Sequence, residues 1–95
     1  MPAYIVVDAL VTDPAAYEQY KKLSPGAVAK HGGRFLARGG RTEVLEGGWQ
    51  PNRVVILEFP DVAAARAFYD GPEYREAREA RKDAADFNMI LVEGA

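Results

Sequence analysis

Ninety-five residues fit one domain spanning 1–95, with no room for a second core. Hydrophobic residues at 48% and charged residues at 27% make an ordinary globular mix. The net charge of −2, with no basic stripe interleaved with aromatics, excludes the electrostatic footprint of a nucleic-acid binder.

Cysteine is absent, which excludes disulfides, thiolate catalysis and Cys-based zinc sites. Small secreted domains commonly depend on disulfide staples, so the expected setting is the reducing cytoplasm. The N-terminal run MPAYIVVDALV has no basic n-region and is broken at Asp8, and no stretch approaches the length of a membrane span. Neither a signal peptide nor a membrane association is expected.

Residues 3–11, AYIVVDALV, are β-branched and bounded by Thr-Asp-Pro, which predicts a buried strand. Asp13 before Pro14 reads as a helix N-cap with proline at the first helical position. Tyr17, Tyr20, Leu23 and Ala27 then share one helical face. Pro25 lacks an N–H and crowds the carbonyl four residues back, so two helical pieces are expected, the second opening at Ser24-Pro25 and ending at Gly32-Gly33.

The stretch GGRFLARGGRTEVLEGGW, residues 32–49, holds six of the nine glycines. It is not a phosphate loop, because its glycines follow a helix and lead into a strand, and no Gly-Lys-Ser/Thr ending is present. Phe35 and Ala37 place apolar groups on odd positions, whereas Thr42, Val44 and Glu46 are even. A plain strand through this stretch would flip its faces. Gly39-Gly40 is therefore expected to be either a two-residue hairpin turn or a bulge.

Residues 52–60, NRVVILEFP, form the clearest strand pattern. Asp61 caps a helix over 62–70 that Gly71 closes, with Ala65, Phe68 and Tyr69 inward. Pro72 opens a third helix, PEYREAREARKDA, with Arg75 and Glu79 as an i,i+4 pair. DFNMILVEG, residues 86–94, is the last strand.

The order is βαββαβ: an α+β, ferredoxin-like arrangement, with helices on one face of a four-stranded antiparallel sheet. Three strands are largely apolar on both faces, unlike a sheet with one wet face. The open face exceeds the apolar patch usual for a monomer and is expected to be covered by a second copy, making a homodimer.

Candidate chemistry is sparse. His31, the only histidine, is an acid–base candidate or a residue placed at the negative end of a helix dipole. Glu58 lies between Leu57 and Phe59, so it is either an arginine partner or a proton-transfer group. Arg38 and Arg41 flank the glycine pair beside bare backbone and form an anion-binding candidate, the alternative being pairing with Glu43, Glu46 or Glu58. Tyr17, Tyr69 and Trp49 carry polar tips suited to lining a pocket, and Trp49 is expected to pack on the partner or rim a cleft. Arg81 sits on the third helix, on a face that is solvated by default. Asp8 is a second in-sheet carboxylate that adjacent strands could bring to Glu58. No cofactor and no metal site are expected.

The segments DPAAYEQY, HGGRFLARGG, VLEGGW, RVVILEFP, FYDGPEY and the closing VEG resemble the DUF1330 family nearly end to end. The resemblance implies a dimeric α+β barrel, in which two ferredoxin-like sheets pack face to face. It also implies one long second strand, bulged at Gly39-Gly40 and turning at GGWQPN. The family pattern has an arginine where this chain has Arg81, and often a serine where it has Gly71. Related barrels suggest a cofactor-independent enzyme acting on a small aromatic or carboxylate compound. The alternative is a non-catalytic homodimeric binding or stress-associated module for an acidic metabolite.

Overall fold

The period-two alternation of the first strand sets the layering. A computed structural model describing residues 1–95 places Ala3, Ile5, Val7 and Ala9 of β1 (Ala3–Val11) on the helix side, all at most 3% exposed, while Tyr4, Val6 and Asp8 face the open side. β3 (Val54–Phe59) and β4 (Ala85–Glu93) pair antiparallel with β1 on its two sides, and β2 (Arg34–Arg38) pairs with β3. The strand order is β2-β3-β1-β4.

Three helices cover one face: α1 (Pro14–Lys30), α2 (Val62–Asp70) and α3 (Pro72–Ala80). Asp13 Oδ1 accepts from the Ala16 N–H at 3.2 Å, and Asp61 Oδ1 from the Ala64 N–H at 2.7 Å, so both expected N-caps form. Only Gly71 separates α2 from α3. Its φ of −72° is ordinary, and the need for glycine is steric: a Cβ there would lie 2.8 Å from the Ala67 carbonyl oxygen. The core centres on the stacked rings of Phe59, Phe68 and Tyr74, with centroids 5.0 Å and 4.4 Å apart. Burying each phenyl ring contributes about 1.5–3 kcal/mol. No helix is long and apolar enough to cross a membrane.

Four expectations are corrected. Helix α1 runs unbroken through Pro25, and Ser24 is buried inside it rather than capping a second piece. The carbonyl that Pro25 leaves without a helical donor is that of Lys21, and Arg38 Nη2 donates to it at 3.2 Å, which removes part of the cost of the interruption. The bulge lies between Phe35 and Ala37, ahead of the glycine pair, and β2 stops at Arg38, so residues 39–53 form an extended connection rather than one long strand. Arg75 gives an N–H to the Asp70 carbonyl instead of pairing with Glu79, and the i,i+4 ion pair is Arg66–Asp70. Asp8 and Glu58 share the open face but lie opposite Val54 and Tyr4 respectively, about 13 Å apart along the strands, so they form no carboxylate pair.

Candidate functional site

Two arginines, Arg53 and Arg38, reach one cleft between the helices and the sheet, the first because of strand parity. Arg53 continues the odd-numbered stripe of Val55, Leu57 and Phe59, so its side chain enters the helix side. Asp8 fixes where that strand begins: Oδ1 accepts from the Asn52 N–H at 2.9 Å and Oδ2 from the Trp49 indole at 3.2 Å. The Asn52 amide is the main reason that the Asp8 carboxyl is held below its ordinary range.

Arg38 reaches the same side by a different route. Phe35 is opposite Leu57, Ala37 opposite Ile56 and Arg38 opposite Val55, so the bulge turns an even-numbered residue toward the helices. Its guanidinium lies 4.6 Å over the Phe35 ring. Gly39, at φ +69°, gives its N–H to the Val54 carbonyl, and a Cβ there would lie 2.7 Å from Arg53 Cζ. Glycine at this position serves both the left-handed backbone and the passage of the Arg53 side chain.

Arg81 caps the C-terminus of α3 and lies 3.7 Å over the Phe87 ring and 5.5 Å from that of Tyr20. The Nε atoms of Arg53 and Arg81 are buried without a hydrogen-bond partner. The chain carries 14 carboxylate side chains, yet none forms an ion pair with Arg38, Arg53 or Arg81.

Tyrosines supply the rest of the wall. Tyr17 and Tyr20 project from α1, and Tyr20 Oη lies 2.7 Å from Tyr74 Oη in a buried hydrogen bond. Burial raises the pKa of both Tyr17 and Tyr20; for Tyr17, Arg53 and Arg81 act in opposition. These phenols stay protonated at neutral pH. The cleft is therefore rich in N–H and O–H donors and lined by rings, with no carboxylate in its wall. Its open space is about 20 Å³, room for one water molecule.

Of the residues singled out from sequence, Tyr17 and Arg38 line this cleft. Arg81 stands behind its Phe87 and Tyr20 rings and lines the neighbouring open groove with Glu79, Lys82 and Asp83. Arg53 was missed, although the odd stripe through Val55 and Leu57 pointed to it. Arg41 lies in the exposed connection. Tyr69 lines a separate apolar recess of about 130 Å³ with Ile5, Ala65 and Met89, and Arg78 stacks on it at 4.3 Å. Trp49 flanks the open face of the sheet, 66% exposed, bonded to Asp8.

His31 and Glu58 do not join the cleft. His31 Nε2 lies 3.2 Å from Glu73 Oε1, while Lys30 Nζ donates to Glu73 Oε2 at 2.9 Å; Lys30 first, then His31, holds the Glu73 carboxyl below its ordinary range. Glu58 receives Arg34 Nη2 at 2.7 Å on the open face, and that bond is the leading cause of its lowered pKa. Both residues have near partners that account for them. Arg38, His31, Glu58 and a tyrosine thus share no common pocket.

A family model described as a domain of unknown function, DUF1330, matches residues 2–95. A protein of unknown function from Rhodopseudomonas palustris superposes with a TM-score of 0.77 at 25% identity, covering 99% of this chain and 82% of that one. SnoaB, a cofactor-independent oxygenase from Streptomyces nogalater, superposes with a TM-score of 0.67 at 18% identity, covering 99% and 93%. A dimeric protein of unknown function with a ferredoxin-like fold from Bacteroides fragilis gives 0.66 at 14% identity, covering 98% and 96%. Among curated proteins no match is found.

Proposed function

The chain belongs to the DUF1330 family, and from that premise we propose that it binds a small aromatic carboxylate or phenolate in the cleft between α1, α3 and the sheet. One observation carries the reading: two guanidiniums, of Arg38 and Arg53, line an aromatic-walled cleft, a third, of Arg81, backs its Phe87 ring, and no carboxylate is paired to any of them. Arg53 and Arg81 are partly buried with no carboxylate paired to either, an arrangement that is unfavourable unless an anion completes it, and exposed Arg38 stands at the mouth. Guanidiniums offer paired N–H donors to a carboxylate, and the rings of Tyr17, Tyr20 and Phe87 suit a planar ligand. Binding widens the cleft, since the resting space holds only a water.

Oxygenation of such a compound without a cofactor, with dioxygen as the co-substrate and oxidant, is the second reading. SnoaB, a neighbour in fold, is an oxygenase of that kind, and a donor-rich cleft stabilises the substrate oxyanion on which such chemistry depends. With no histidine or carboxylate in the cleft, the protein's contribution would be oxyanion stabilisation rather than proton abstraction.

We further infer that the working form is a cytoplasmic homodimer, closed over the open sheet face. Leu36, Ile90 and Val92 are 48%, 60% and 44% exposed, and a second copy would cover them. The dimeric Bacteroides neighbour and the absence of cysteine support these two points.

A thermal-shift screen against benzoate, hydroxybenzoates, catechols and aliphatic acids tests the ligand reading. A ligand at 100 times its Kd stabilises the folded state by about 2.7 kcal/mol. The expected result is a rise in Tm with aromatic acids, lost in Arg53→Gln. No rise across the panel would count against both readings.

A further inference from the structure

Pro25 stands in the middle of α1, where a proline is strongly unfavourable: it withholds a backbone N–H and its ring presses on the carbonyl four residues back. That carbonyl belongs to Lys21. Its donor comes from outside the helix, from Arg38 Nη2 at 3.2 Å. Two other features bring Arg38 there. The bulge between Phe35 and Ala37 turns it to the helix side, and the Phe35 ring supports the guanidinium from below at 4.6 Å. Lys21, Ser24, Phe35 and Arg38 all belong to the wall of the cleft.

We propose that Pro25 is a positioning residue for the anion site. By withholding its N–H it turns the Lys21 carbonyl into a dock, and the dock holds Arg38 at the mouth of the cleft. A guanidinium has five N–H donors in a rigid fork, so one bond to Lys21 leaves the others for an incoming carboxylate or phenolate. An exposed arginine on a free side chain would have to surrender its rotamer freedom on binding; a docked one has surrendered much of it already. The assignment of the ligand rests on the function proposed above, but the dock does not.

Two measurements on the full chain test this, using wild type, Pro25→Ala, Arg38→Ala and the double variant. In thermal unfolding, Arg38→Ala lowers Tm by a few degrees when residue 25 is proline. It lowers Tm much less when residue 25 is alanine, because the new N–H satisfies Lys21 within the helix. An equal loss in both backgrounds overturns the dock.

In calorimetric titration with benzoate and 4-hydroxybenzoate, Pro25→Ala weakens binding about threefold to tenfold while Tm holds or rises. Arg38→Ala weakens binding at least as much, and the double variant is no weaker than Arg38→Ala alone. A better-formed helix with poorer binding is an outcome that a purely structural proline would not produce. Unchanged affinity in Pro25→Ala overturns the positioning role. If wild type binds neither probe while the Tm coupling persists, the positioning role falls together with the ligand reading, and the dock alone survives.

Discussion

Arg53 and Arg38 arrive in one cleft by opposite rules, the first by keeping strand parity and the second by breaking it. Gly39 lies between these two demands: its φ of +69° ends β2, and its missing side chain leaves space for Arg53. Alanine in left-handed backbone costs about 1–2 kcal/mol, and here it would also push the guanidinium aside. Gly39→Ala is expected to lower Tm by several degrees and to abolish the ligand-induced shift, both read by thermal unfolding with and without an aromatic acid. Gly40→Ala, where a Cβ meets nothing within 4 Å, is expected to keep the ligand-induced shift. The signal for Arg53 was present in the sequence, as the next odd position before Val55. The side that Arg38 takes was not, because it depends on the bulge falling before residue 38; a bulge at Gly39-Gly40, as expected from the sequence, would have left Arg38 on the open face.

At the level of elements, the C-terminal end of α1 is tied to the start of α3 by Glu73, which takes Lys30 on one oxygen and His31 on the other. The folded-state pKa of Glu73 is below the ordinary 4.5, so the stabilisation is present above that pH and is lost as pH falls through the folded value. Asp8 and Glu58 are depressed as well, and act in the same direction. Tm should therefore fall on acidification below about pH 4.5, and Glu73→Gln should flatten part of that slope while leaving the remainder. A slope unchanged in Glu73→Gln would show that the tie contributes nothing.

The elements also show where sequence reading reaches its limit. Strand β1, helix α2 and both N-caps were legible because period-two burial and the Asx cap are local, involving residues within three positions. Helix α1 was not, because the donor that tolerates Pro25 comes from residue 38 in another element. His31 and Glu58 looked chemically available for the same reason: their partners lie 42 and 24 residues away in sequence. A long-range pair is invisible to spacing rules.

For the molecule as a whole, the sheet carries helices on one face only. Its other face mixes apolar residues such as Val6, Ile56 and Ile90 with the Arg34–Glu58 pair and the Asp8–Trp49 contact. A second copy covering this face should give a light-scattering mass about twice the 10.4 kDa chain at micromolar concentration. Ile90→Asp, 60% exposed in the single chain, should shift the protein toward monomer by placing a charge in the interface. A wild-type monomer would overturn this part of the account. The arginine cleft lies on the opposite side of the sheet from this face, so the two claims can fail separately.

The central claim is that Arg53 awaits an anion in the cleft that Arg81 backs through the Phe87 ring, and the side-chain N–H signals of both report on it directly. Both Nε atoms are buried and unpartnered, so ¹H–¹⁵N spectra of the arginine Nε–Hε groups should resolve them from exposed Arg34 and Arg66. On titration with a hydroxybenzoate, the Arg53 and Arg81 signals are predicted to move together along one saturable curve while those of Arg34 and Arg66 stay in place. Signals that all remain still, or that all drift equally with ionic strength, would contradict the account.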